Sequence, residues 1–279
     1  MTFLWSPPAL RHATINSGAF NPAQLASVIG AVLDPGSAST VVTGSGIASL
    51  ADSFGGSPAV QATDNARPPR TTASNSVTVL QGVNDRMTWP ASAANNQLVT
   101  WWWGAHVLLD DVAASKFLWR YGPTASFDPA ATDSHNLRVL SNESLLLQVF
   151  TTAAGTAARS ATTAPSVLNN TAYVFLTVEM NLALVGEANQ VVISADGVVL
   201  PLAFADSIGA PGAMPAALQG NPGGSDIVLL ASLSSGSFSP FIGKMGRQYF
   251  GKAAETGATQ GCLTAATRTN LALFDRPVV

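Results

Sequence analysis

Along most of the chain apolar residues recur with a period of two rather than the helical 3.6. Short β-branched and aromatic runs, separated by Gly, Pro, Asn and Ser clusters, follow one another from about residue 40 to 250. This pattern predicts strands near 39–43, 77–81, 85–89, 98–109, 116–121, 136–140, 144–151, 172–184, 190–194, 197–203, 226–233 and 240–250. Such a series reads as an all-β, antiparallel sandwich or barrel. One early segment, "NPAQLASVIGAVL" at 21–33, predicts a short helix, with Asn21 as N-cap, Pro22 in the first turn and Pro35 beyond its end. Asp196 and Gly197 between two apolar runs predict a hairpin turn. Segments 152–166 and 206–225 are rich in Ala, Gly, Thr and Pro and predict long loops, the kind that carry contacts or function.

Alternation also divides the run "LVTWWWGAHVLLDD" at 98–111. Val99, Trp101, Trp103, Ala105, Val107 and Leu109 form one wholly apolar face, expected in the core, whereas Thr100, Trp102, Gly104 and His106 face away. In the same way Phe117, Trp119 and Tyr121 are expected inside, with Arg120 outside. In 172–184 the even positions are expected inside and Thr177 and Glu179 outside. Trp102, His106, Arg120, Gln148, Thr177 and Glu179 are therefore candidates for one outward face, provided that their strands share a sheet. A tryptophan among hydrogen-bonding groups suits a sugar ring, which offers C–H faces and hydroxyls. A subunit or partner interface and cover by a long loop of the same chain are the competing readings.

Composition changes this picture in one respect. Hydrophobic residues make up 47% of the 279, enough for a sizeable core, but charged residues only 10%, so much of the surface is uncharged and cheap to desolvate against a neighbour. The net charge of −3 comes with scattered Lys and Arg, which argues against nucleic acid as a partner. The single cysteine, Cys262, allows no intrachain disulfide, and the start "MTFLWSPPAL" lacks the features of a signal peptide. No run is long enough to predict a membrane span. Synthesis in a cytoplasm is the expectation.

Candidate chemistry is sparse. Of the four glutamates, Glu143, Glu179, Glu187 and Glu255, none has a second acid two residues away, so the strand-borne acid pair of retaining glucanases is missing. His12, His106 and His135 are dispersed, with no nucleophile elbow and no zinc spacing. "GSG" at 44–46 lacks the rest of a phosphate-binding loop. Asp110, Asp111 and Asp226, at predicted strand ends, are weak candidates for calcium; no other cofactor is expected.

Several segments in order resemble the laminin-G-like, concanavalin A-like jelly rolls of lectins, glucanases and phage structural proteins. They are Phe20 to Pro22, "VLDPGSASTVV" at 32–42, "LADSFGGSPAVQAT" at 50–63, "ARPP" at 66–69 and "VLQGVNDRMTWP" at 79–90 in the first half. The second half adds the "DG" turn at 196–197 and "DIVLLASLSSGSFSPFIGKMGRQYFGKA" at 226–253. Ala31 and Gln81 depart from the family's usual Trp and Asp. The resemblance implies a jelly-roll domain over residues 21–279, with a C-terminal extension from about 254, preceded by an N-terminal arm over residues 1–20. It further implies a non-enzymatic virion component, a capsid-decorating, tail or fibre protein made in the host cytoplasm. Such a protein would contact other virion proteins and form a homo-oligomer, with Phe3, Leu4 and Trp5 of the arm either docking on a neighbouring subunit or folding back over their own domain. The alternative is a carbohydrate-binding, lectin-like module that contacts polysaccharide through Trp102, His106, Arg120 and Glu179.

Overall fold

The computed structural model describes residues 25–44, 46–62, 67–74, 78–82, 87–90, 98–110, 116–122, 134–152, 155–168, 170–218, 226–229, 231–234 and 237–279. The arm residues Phe3, Leu4 and Trp5 lie outside them. Two antiparallel sheets face each other. The first runs, in spatial order, Val198–Val199, Val191–Ala195, Val174–Asn181, Thr100–Leu109, Gly243–Gly251, Thr78–Gly82 and Arg70–Thr72, with Ile29–Leu33 also paired to Gly243–Gly251, eight strands among the described residues. The second has ten: Leu202–Ile208, Ala158–Thr163, Leu145–Phe150, His135–Val139, Lys116–Gly122, Asp226–Leu229, Met87–Trp89, Ala59–Val60, Gly46–Leu50 and Val41–Thr43. A separate hairpin pairs Ala231–Ser234 with Ser237–Pro240. The antiparallel sandwich, one of the two architectures expected from periodicity and the two-sheet jelly-roll form that the resemblance implies, is the fold observed.

The core follows from alternation. Trp101, Trp103, Ala105, Val107 and Leu109 meet Val174, Leu176, Val178 and Met180 from the neighbouring strand, and across the sandwich Trp119, Leu137, Leu147 and Val149. Trp101 and Trp119 pack edge to face with ring centres 4.9 Å apart, an arrangement that the ring quadrupole favours. The Asp196-Gly197 turn forms as expected, with positive φ at both residues (49° and 84°).

Four expectations fail locally. Ile29–Leu33 is a strand, not the end of a helix; the Asn21 and Pro22 start signals fall outside the described residues. Its apolar run is continuous because both faces are covered. Ala31 and Leu33 join the main core, while Val28, Ile29 and Val32 join a second cluster on the other side. A two-sided apolar run of this length reads equally as helix or strand. The expected loop at 152–166 contains the strand Ala158–Thr163, and that at 206–225 begins inside Leu202–Ile208. Finally, a register shift between Leu137 and Arg138 turns Leu118 into the core and leaves Phe117 outside, beneath Arg138.

Three polar residues within the family-like segments act as staples. Asp52 accepts the backbone N–H groups of Val32, Phe54 and Gly56. Asp34 accepts the Gly36 N–H and pairs with Arg247. Arg67 donates to the carbonyls of Thr43, Gln61 and Ala62, tying an edge strand to the chain that follows it.

Candidate functional site

The outward face of the tryptophan strand is not open. Trp102 stands opposite Glu179 on one side and Gly251 on the other, and His106 opposite Phe175. Over them lies the chain from Lys252 onward, ending in the helix Ala265–Leu273. Thr264 caps this helix by accepting the Thr267 N–H, and Glu255 accepts from the Thr264 N–H and the Thr267 hydroxyl. Cys262, Leu263, Leu271 and Ala272 complete an apolar cluster with Trp102, Phe175 and Tyr249.

Polar side chains on this face are tied to the cover. Glu179, with no exposed surface, accepts the N–H groups of Cys262 and Leu263 at Oε2 (2.8 and 2.9 Å) and the Thr177 hydroxyl at Oε1. It is also gripped by Arg268 at 2.6 and 2.8 Å. His106 Nε2 lies 3.0 Å from the Ala272 carbonyl; since a carbonyl only accepts, that nitrogen carries the proton. Burial holds the ring neutral, its pKa pushed down to about 3. Trp102, His106 and Glu179 thus meet the protein's own C-terminal segment, the covering arrangement, rather than an external ligand. His135, inside the sandwich among Trp101, Trp119 and Tyr121, is likewise held at about 3 by burial.

Carboxylates that could do chemistry are mostly engaged elsewhere. Besides Glu179 and Glu255, Glu187 accepts from Nε and Nη2 of Arg159, each at 2.7 Å, and from the Met214 N–H. Asp206 holds the other arm of Arg159 and the Gly212 N–H. These bonds fix the loop 209–217, which with Thr151, Thr152 and Thr156 borders an open cleft of about 630 Å³ at one end of the sandwich. Asp110 is exposed; Asp111 and the Asp226 side chain lie outside the described residues, and among those described no three His, Cys, Asp or Glu side chains group around a cation position.

Arg120 sits on the other sheet. There a single cross-strand row runs across all ten strands: Ala205, Ser160, Gln148, Asn136, Arg120, Val228, Thr88, Val60, Ser49 and Val41. A parallel row holds Ala203, Thr162, Leu146, Arg138 and Phe117. Arg120 lies between the core residues Trp119 and Tyr121, and Arg138 between Leu137 and Val139, so both arginines belong to the outer face. The Arg138 guanidinium lies 5.3 Å from the Phe117 ring centre and donates to Gln148 Oε1 at 3.0 Å. Gln148 in turn donates to Ser207 at 3.0 Å, and Asn136 to Gln148 at 3.4 Å. Alternation finds Arg120 and Gln148 on one face, as expected, but not beside Trp102. Asn136, Arg138 and Phe117 are missed because their placement depends on strand order and on the register shift.

No protein-family model matches the chain, and no curated protein sequence matches it. Solved structures do. The Trypanosoma rangeli sialidase in complex with sialic acid is similar over 89% of this chain and 33% of its own (15% identity, TM-score 0.54). The same enzyme in its complex with 2,3-difluorosialic acid matches at 14% identity and TM-score 0.52, over 87% and 32%. The Ruminococcus gnavus IT-sialidase CBM40 bound to α2,3-sialyllactose matches at 11% identity and TM-score 0.46, over 69% of this chain and 96% of that one. The chain thus spans about a third of the length of the Trypanosoma enzyme. What is shared is the β-sandwich, jelly-roll fold.

Proposed function

We propose that the protein is a carbohydrate-binding module and that the outer face of the ten-stranded sheet is its binding surface. Fold alone assigns no function; the supporting observation is the half-buried row of Phe117, Arg138, Leu146 and Thr162, with the half-buried Arg120 beside it, whereas Asn136, Gln148 and Ser160 of the neighbouring row are buried and support it from beneath. An arginine stacked on an aromatic ring, next to a leucine and a threonine on a rigid sheet, matches the mixed polar and C–H character of a sugar. The opposite face is occupied by the chain's own helix, and three of the four glutamates serve structural bonds, which favours binding over hydrolysis. A glycan array is the test. Binding that is retained by Trp102→Phe and lost in Arg120→Ala and Arg138→Ala, both folded by circular dichroism, supports the reading; failure of the intact protein to bind any glycan removes it.

A virion component that acts through protein contacts is the second reading. One observation favours it: Val41, Val42 and Val60 are exposed together at one edge of the ten-stranded sheet, where an edge strand can meet another chain. Its presence in purified virus particles, at fixed copy number, would establish it; absence from them would dismiss it.

A further inference from the structure

We propose that the protein pairs with a second copy of itself along the edge strand Leu202–Ile208, so that the ten-stranded sheets of the two copies become one continuous sheet. The inference is independent of the carbohydrate reading.

Among the described residues the two sheets end in four terminal strands. Three are short. Val198–Val199 has two residues, and Arg70–Thr72 and Val41–Thr43 have three each, the last with a register shift between Val41 and Val42 and with Arg67 bonded to the Thr43 carbonyl. Short, bulged or covered edges are how sheets avoid joining one another. Leu202–Ile208 departs from this: it has seven residues, and none is Lys, Arg or Pro. It pairs with Ala158–Thr163 on one side, and its one irregularity falls near the end, at Ser207, which leaves Leu202–Asp206 in unbroken register. Alternate residues of an antiparallel strand turn N–H and C=O away from the partner already present, so the far side of this strand offers a row of donors and acceptors to another strand.

What lies beside the strand favours a copy of the same chain. Only Leu200 and Pro201 separate Val198–Val199 from Leu202–Ile208, so terminal strands of both sheets lie on the same side of the sandwich. That side is apolar: Val198 is 67% exposed, Val199 40% and Ile208 37%, and Leu200, Leu202 and Phe204 are half-buried alongside them. The carboxylates of residues 191–208 are neutralised within the chain, Asp206 by Arg159 and Asp196 by Arg276. A two-fold axis across the strand sets it antiparallel to its copy. This matches donors to acceptors and brings the apolar residues together without opposing uncompensated charges.

The test is analytical sedimentation of the full chain. Expected between about 1 and 100 μM is a monomer–dimer equilibrium, weakened about tenfold or more in Ala205→Lys, because like charges then meet across the axis, and unchanged in Val41→Lys at the opposite edge. Ala203 is exposed like Ala205, so Ala203→Lys keeps the test intact if Ala205→Lys fails to fold. A chain still monomeric at the highest concentration overturns the inference. So does a dimer that survives the lysine in Leu202–Ile208, one that is lost in Val41→Lys instead, or open-ended assembly, which would require two different edges to pair.

Discussion

Glu179 and Arg268 are joined by two hydrogen bonds of 2.6 and 2.8 Å across 89 residues of chain, and both are buried. Breaking such a pair leaves an uncompensated charge inside the protein. Arg268→Met should cost about 3–5 kcal/mol of stability in chemical denaturation. Replacing both partners with apolar residues should not restore it, because the N–H groups of Cys262 and Leu263 would lose their acceptor. Full recovery in the double variant would show that the backbone bonds are dispensable.

The two buried histidines should make the protein acid-sensitive above the usual carboxylate range. Burial lowers the folded pKa of His106 and His135 from 6.5 to about 3, so between those values the unfolded chain binds more protons. Their contribution is intact above pH 6.5 and is lost progressively as the pH falls towards 3, by about 1.4 kcal/mol per pH unit for each ring. Denaturation curves at pH 7, 6 and 5 should show this slope. His135→Leu should remove about half of it, and a pH-independent midpoint from 7 to 5 would contradict the buried placement.

Gly251 is a test of how Trp102 is seated. A Cβ there would overlap the Trp102 indole, whose ring lies directly on the glycine backbone. Gly251→Ala should destabilise by about 1–3 kcal/mol, the cost of overpacking, whereas Gly257→Ala, with open space around it but a positive φ, should act only through backbone strain. Thermal unfolding of the two variants separates these effects.

Cys262 should be inert in the native protein. It is buried, its thiol is pushed well above the usual range by burial, and its single S–H lies between the carbonyls of Met180 and Trp101, 3.2 and 3.5 Å from the sulfur. Labelling by a thiol reagent should therefore report opening of the C-terminal segment, and should accelerate in Arg268→Met. Fast labelling of the native protein would show that the segment does not stay closed.

Much of the sandwich is legible from alternation, because a strand with one covered face writes that face into every second residue. Trp101, Trp103, Val174 and Val178 are placed correctly on that ground. The pattern says which residues leave the core but not what they meet. The helix Ala265–Leu273 has Arg268 buried beneath it, against the ordinary preference of arginine for water, and the ion pair that makes this possible spans too much chain for any local pattern. Arg120 illustrates the other limit: its outward direction is periodic information, but its sheet depends on strand order, which periodicity does not contain.

The order in which these parts leave the ribosome matters for the central strands. Thr100–Leu109 lies between Val174–Asn181 and Gly243–Gly251, and Ile29–Leu33 pairs with the latter. A nascent chain shorter than about 250 residues thus lacks a partner on one side of its most hydrophobic strand, and Glu179 is still without Arg268. Completion of the sheet must wait until Gly243–Gly251 has been made, so three adjacent tryptophans lack that partner for about 150 residues of synthesis, during which chaperone capture competes with aggregation.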